Sequence, residues 1–160
     1  MAVILVSNCL LGIECRYKGD GCLCQAVLDL AKDNTIIGVC PEQMGGLSTP
    51  RDPSEIVGDR LISIKGRDVT FEYNKGAATA LKLAELNKVD FAILKANSPS
   101  CGHGLIYDGS FTGKKIPGDG VTTKLLLENG IPVYTEEQID EWPVKPKGYK
   151  SNKAYKRDKV

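Results

Sequence analysis

Apolar residues along the chain fall into two rhythms. Three short runs, AVILV (2–6), TIIGV (35–39) and FAILKA (91–96), are continuous or nearly so, which predicts short buried strands, the first two buried on both faces, and IPVY (131–134) predicts a further short strand. Between the first two, CLCQAVLDLAKDN spaces Leu23, Val27, Leu28 and Leu30 at helical intervals and ends in Asn34. Residues 74–87, NKGAATALKLAELN, are rich in helix formers and place Ala77, Ala80, Leu81 and Ala84 along one stripe. LISIKGRDVTFEY alternates around Lys65, Gly66 and Arg67, which predicts a small hairpin or a loop with weak strands. After the glycine-rich GHGLIYDGSFTGKKIPGDG, the segment VTTKLLLENG predicts a helix from near Thr122 to a stop at Gly130, and EEQIDEW a last helical turn. Strand and helix alternate almost throughout. The expected fold class is therefore α/β: a three-layer, Rossmann-like, mostly parallel sheet of at least four strands in a single domain, residues 1–142.

Composition adds limits. The chain has 160 residues, of which 42% are apolar, enough for one core and too few for two domains. No run approaches the roughly 18 apolar residues of a membrane span, and MAVILVSNC carries neither a basic leader nor a cleavage site. The expectation is a cytoplasmic protein with no membrane partner. The net charge of +1 hides an asymmetry, because PVKPKGYKSNKAYKRDKV after Trp142 holds seven Lys or Arg against Asp158 alone. Such a Pro-broken, apolar-poor stretch predicts a basic, flexible C-terminal tail over 143–160. It is either a solvated terminus or an arm that attracts phosphate, RNA included.

Six cysteines in a chain without a secretion signal favour reduced thiols over a disulfide framework. Three of them close apolar runs, in ILVSNC (Cys9), IIGVC (Cys40) and FAILKANSPSC (Cys101). If the runs lie side by side in a parallel sheet, the three sulfurs meet at the sheet edge where open α/β folds place their sites. The plain alternative is cysteine as a small apolar filler. Each of the three also sits by turn chemistry whose N–H groups can reach a thiolate or sulfide. Three ligands would leave one metal position open to substrate or water, as catalytic metal sites require. Cys22 and Cys24 form a weak CxC at a helix start, and Cys15, on the same loop as Cys9, is a candidate fourth ligand.

Together VSNCLLGIECRYKG, VCPEQMGGLSTPRDP, LKANSPSCGHGLIYDG and PGDGVTTKLLLENGIPVY resemble the TudS-like thiouracil desulfidase family, over about residues 2–136. That resemblance implies a [4Fe-4S] cluster held by Cys9, Cys40 and Cys101, with one iron not ligated by protein and free to take the sulfur of a small-molecule thiocarbonyl. It places the family's acid/base glutamate on Glu42 and its substrate-side serine on Ser98. The implied reaction is a non-redox hydrolysis of a thiolated pyrimidine such as 2-thiouracil, with sulfur leaving as sulfide.

The same residues have plainer readings. Glu42 is either the base or a carboxylate paired with Arg51, and Ser98 either faces substrate or forms the turn before Pro99. Ser100 and Asn97 compete for the role of Ser98. His103, the only histidine, reads as a loop residue, Arg16 and Arg51 as loop anchors, and Lys114 and Lys115 as solvated. PGDGVTT at a helix start is a candidate anion site without a P-loop or dinucleotide fingerprint. Two other functions remain open beside the desulfidase: a metal- or sulfide-carrying protein without turnover, and a desulfidase of a thiolated base in RNA. A structural zinc domain is a further alternative.

Overall fold

In chain order the strands are β1 (Val3–Ser7), β2 (Thr35–Val39), β3 (Ser54–Val57), β4 (Arg60–Ser63), β5 (Phe91–Leu94), β6 (Leu105–Tyr107), β7 (Lys115–Pro117) and β8 (Val133–Thr135). The helices are α1 (Gln25–Leu30), α2 (Pro41–Met44), α3 (Thr70–Leu86) and α4 (Val121–Glu128). A computed structural model describes residues 1–153 of the chain. The central sheet has the order β2-β1-β5-β8 and is parallel throughout.

Side chains alternate across a strand, and this divides the core in two. Ile4 and Val6 of β1 join Phe91 and Ile93 of β5 on the face covered by α1 and by Ile139 and Trp142. Leu5, Ala92 and Leu94 point to the other face, under Ala84 of α3 and Leu126 of α4. Helices thus cover both faces of the sheet, and each fully buried aliphatic side chain contributes about 1.5–3 kcal/mol.

Three elements differ from the sequence reading. β2 is not buried on both faces: it is an edge strand, and of Thr35–Val39 only Val39 is fully buried. The expected hairpin or weak-stranded loop around Lys65–Arg67 is present, as a turn closed by an antiparallel Ile62–Asp68 bridge and by the Ser63 N–H donating to the Arg67 carbonyl, but a hairpin that the sequence reading missed, β3–β4, precedes it and closes at Gly58 and Asp59. Consequently Phe71, Glu72 and Tyr73 belong to α3, which begins at Thr70, where Asp68 Oδ1 accepts the Thr70 N–H. The glycine-rich segment after Cys101 contains a second antiparallel hairpin, β6–β7.

Two glycines set α2 against α3. A Cβ on Gly76 would lie 1.8 Å from the Pro41 carbonyl oxygen, and one on Gly45 would lie 1.9 Å from that of Glu72. The backbones touch, and any side chain would force them apart. Of the basic tail, residues 143–153 lie against the domain. Val144 and Tyr149 pack beside Trp142, and Asn152 donates to the Glu137 carbonyl. The rest of that tail, 154–160, lies outside the described residues. Among the described residues, no helix is long and apolar enough to cross a membrane.

Candidate active site

The chain leaves β1 for β2 on one side and later enters β5 on the other, so the strand order reverses beside β1. Open α/β sheets bind ligands at the carboxyl ends of strands at such a reversal. A cavity of about 410 Å³ is found there. It is lined by the residues that follow β1 (Ser7 to Cys9), β2 (Val39 to Glu42) and β5 (Lys95 to Pro99, with Cys101). All five residues singled out in the sequence, Cys9, Cys40, Cys101, Glu42 and Ser98, therefore line one cavity, and Cys15 lines it too.

The thiols are buried and free of disulfides. Cys15 is hydrogen-bonded to both Cys40 and Cys9; the bond with Cys40 favours its thiolate, but the bond with Cys9 and burial outweigh that and push it up to about 11. The Cys40 thiol is pushed up strongly by its bond with Cys15 and by burial. Burial pushes Cys101 up to about 12, against the hydroxyls of Ser7 and Ser100. A pocket of protonated soft donors is what a thiophilic metal group would find before it displaces the protons. Among the described residues, no three His, Cys, Asp or Glu side chains are placed to hold a single metal ion. Thiolates that each bind a different iron of a cluster need no such convergence on one point, and sulfur donors suit iron–sulfur chemistry.

Glu42 sits in the first turn of α2, one residue after Pro41 at the helix start, where a carboxylate is favoured by the free N–H groups. Its Oε2 accepts hydrogen bonds from Arg51 Nε and from the Tyr73 hydroxyl, each at 3.0 Å. The Arg51 and Glu42 side chains are only 7% and 16% exposed. Arg51 also donates to the carbonyl of Cys15 at 3.0 Å and to that of Ser48. It thus ties the Cys15 loop to the carboxylate. Burial, then the Glu42 charge, holds the Tyr73 hydroxyl protonated as a donor. The reading of Glu42 as a carboxylate paired with Arg51 holds, and the pairing uses Oε2, while Oε1 has no hydrogen-bond partner among the described residues.

Ser98 forms the turn expected before Pro99. Its Oγ accepts the N–H groups of Ser100 (3.1 Å) and Cys101 (3.0 Å). Both bonds use oxygen lone pairs, so the hydroxyl hydrogen stays available to a partner in the cavity. Ser100 points away and pairs its hydroxyl with Thr122 at 2.8 Å in the core. Thr123 Oγ1 donates to the Cys101 carbonyl, so PGDGVTT anchors the cysteine turn from the start of α4.

Other candidates separate cleanly. Asn97 and Arg16 line the cavity, whereas His103 does not and is paired with Asp119 at 2.8 Å. Cys22 and Cys24 lie off the cavity lining. Lys95 lines the cavity and holds Glu136 at 2.9 Å; burial opposes its charge, but the Glu136 carboxylate more than compensates and raises its pKa. Sequence reasoning missed Glu55 and Phe111, which belong to the two hairpins, and Tyr73, which lies in the first turn of α3. The signal for the first hairpin was the Gly58-Asp59 pair between Ile56-Val57 and Leu61-Ile62.

An α/β domain with a thiol-lined cavity at the carboxyl edge of its parallel sheet is built for soft-metal or sulfur chemistry. A family profile described as 2-thiouracil desulfurase matches residues 4–138, and the chain belongs to that family of enzymes. It is 43% identical over 149 residues to "Uncharacterized protein YbbK" of Bacillus subtilis (strain 168), covering 87% of this chain and 99% of the relative. A solved structure of "[4Fe-4S]-dependent thiouracil desulfidase TudS" superposes with a TM-score of 0.83 at 43% identity, over 88% of this chain and 95% of that one.

Proposed function

We propose that the chain removes sulfur from a thiolated pyrimidine such as 2-thiouracil, using a [4Fe-4S] cluster held by Cys9, Cys40 and Cys101 with one iron open to the substrate. The observation that carries this reading is the gathering of those cysteines with Glu42 and Ser98 on one cavity. The cluster would supply a Lewis-acidic iron for the soft thiocarbonyl sulfur, making the adjoining carbon electrophilic.

The side chains supply the rest. Glu42 takes a proton from the attacking water through Oε1 while Arg51 and Tyr73 keep Oε2 in place. The same carboxyl returns that proton to the sulfur and, as the added hydroxyl becomes the carbonyl, passes on its proton as well, so that both protons of the water end on the departing sulfur. Water adds its oxygen to carbon as the carbon–sulfur bond breaks, so thiocarbonyl and water become carbonyl and hydrogen sulfide, with no electron transferred. Ser98, fixed by the two N–H groups it accepts, donates its hydroxyl hydrogen to the polar edge of the ring or to the incoming water.

Anaerobic reconstitution with iron and sulfide, followed by incubation with 2-thiouracil in 18O-labelled water, tests this. Equal amounts of sulfide and singly labelled uracil are expected from the wild type and none from Cys101→Ser. A cluster-loaded wild type that releases neither would leave sulfide carriage as the better reading, and product without the label would overturn the hydrolytic step.

A further inference from the structure

Glu55 has no part in the chemistry above, yet it is a carboxylate only 8% exposed on a strand of the cavity wall. Its Oε1 accepts the backbone N–H groups of Gly109, at 2.9 Å, and Phe111, at 3.3 Å. Burying a carboxylate is costly unless its oxygens find donors, so these bonds fix the β6–β7 loop against β3. The approach is also one of backbones, because a Cβ on Gly109 would lie 2.7 Å from the Ile56 carbonyl oxygen.

Phe111 stands at φ +58, in the left-handed region that bulky residues rarely adopt. Such conformations persist where the surroundings over-determine them, and they collect at functional sites. Here the strained turn brings Phe111 to the cavity wall, where Tyr17, Tyr107 and Ile64 also lie. These apolar surfaces share the cavity with Glu42 and the thiols.

We propose that Phe111 is a specificity-determining residue, an aromatic face for a flat substrate ring, and that Glu55 is the positioning residue that holds it there. The substrate side of this inference rests on the proposed function. Aromatic faces bind heterocyclic bases by stacking, and an open-chain thiocarbonyl gains little from such a face. Phe111 therefore sets the preference for ring over open-chain substrates.

The test uses the cluster-loaded full chain, with 2-thiouracil and thioacetamide as probes, by turnover and by equilibrium binding. Phe111→Ala should raise KM and weaken binding roughly tenfold for 2-thiouracil, leave kcat nearly unchanged, and leave thioacetamide unaffected; Phe111→Tyr should restore the wild-type values. Glu55→Ala should reproduce the loss, and adding Phe111→Ala to it should cost little more, because the two act as one unit. Glu55→Gln keeps an acceptor oxygen and should retain most of the affinity, which separates positioning from general misfolding. Unchanged 2-thiouracil binding in Phe111→Ala, or equal losses for both probes, would overturn the proposal. A wild type that binds 2-thiouracil without releasing sulfide would sink the proposed reaction alone, since the effect of Phe111→Ala on binding still decides the aromatic face. A wild type that does not bind it sinks both.

Discussion

Glu42 commits Oε2 to Arg51 and Tyr73 and leaves Oε1 without a hydrogen-bond partner among the described residues, the oxygen to which the proposed reaction assigns the proton transfer. Replacing it by Gln keeps an acceptor for both donors and removes the base. The expected result is a fall in kcat of about 100-fold or more with the cluster's visible absorbance intact, measured by turnover and spectrum on one sample. The thiols make a second prediction. Cys15 and Cys101 are raised from 9.0 to about 11 and about 12, so in the metal-free protein they release protons on unfolding once the pH exceeds about 9. Their contribution to stability is full below that pH and is lost as pH rises through 11 to 12. Urea midpoints for the metal-free chain should accordingly drop between pH 8 and pH 10.5; a flat profile would refute the assignment. At this scale the sequence exposed the thiols and the carboxylate that line the cavity and hid their supports. Cys9, Cys40, Cys101 and Glu42 stand next to strand ends that are visible as apolar runs. Tyr73 reaches Glu42 only because α3 begins at Thr70, before the good helix formers begin.

The contact between α2 and α3 is the element on which Cys40 and Glu42 both depend. Gly76→Ala would drive a methyl group into the Pro41 carbonyl, and overpacking of this kind costs about 1–3 kcal/mol even where side chains can adjust. Backbone cannot adjust as easily, so a loss of about 3 kcal/mol in urea unfolding is expected, with reduced cluster occupancy after reconstitution because Cys40 moves with α2. Wild-type occupancy in Gly76→Ala would show that α2 can shift without harm to the site. The four strands of the sheet and the cores of α3 and α4 were legible because continuous apolar runs and 3.6-residue stripes leave strong patterns. The hairpins β3–β4 and β6–β7 were weaker signals: their strands are three or four residues long, and their order comes from long-range contacts such as Glu55 to Gly109. Those hairpins carry the outer wall of the cavity, so the wall to which substrate selection is assigned was the part of the site least visible in the sequence.

For the molecule as a whole, a cluster that binds only the folded chain adds its binding free energy to stability. The loaded protein should melt at least several degrees above the metal-free one, and chelation under air should return it to the lower value; calorimetry on both forms checks this. The three cysteines also have a place in time as well as in space. They follow β1, β2 and β5, and β1 lies between the other two in the sheet. During synthesis at about 5–20 residues per second, Cys9 emerges many seconds before Cys101 completes the set. Until then the set of three sulfurs is incomplete, even though β2 precedes β5 in the chain, and a premature oxidant would meet an unguarded thiol. On the proposed reading, cluster loading belongs after Cys101 has emerged and the cavity is shaped, and what must be protected before that moment is the growing chain.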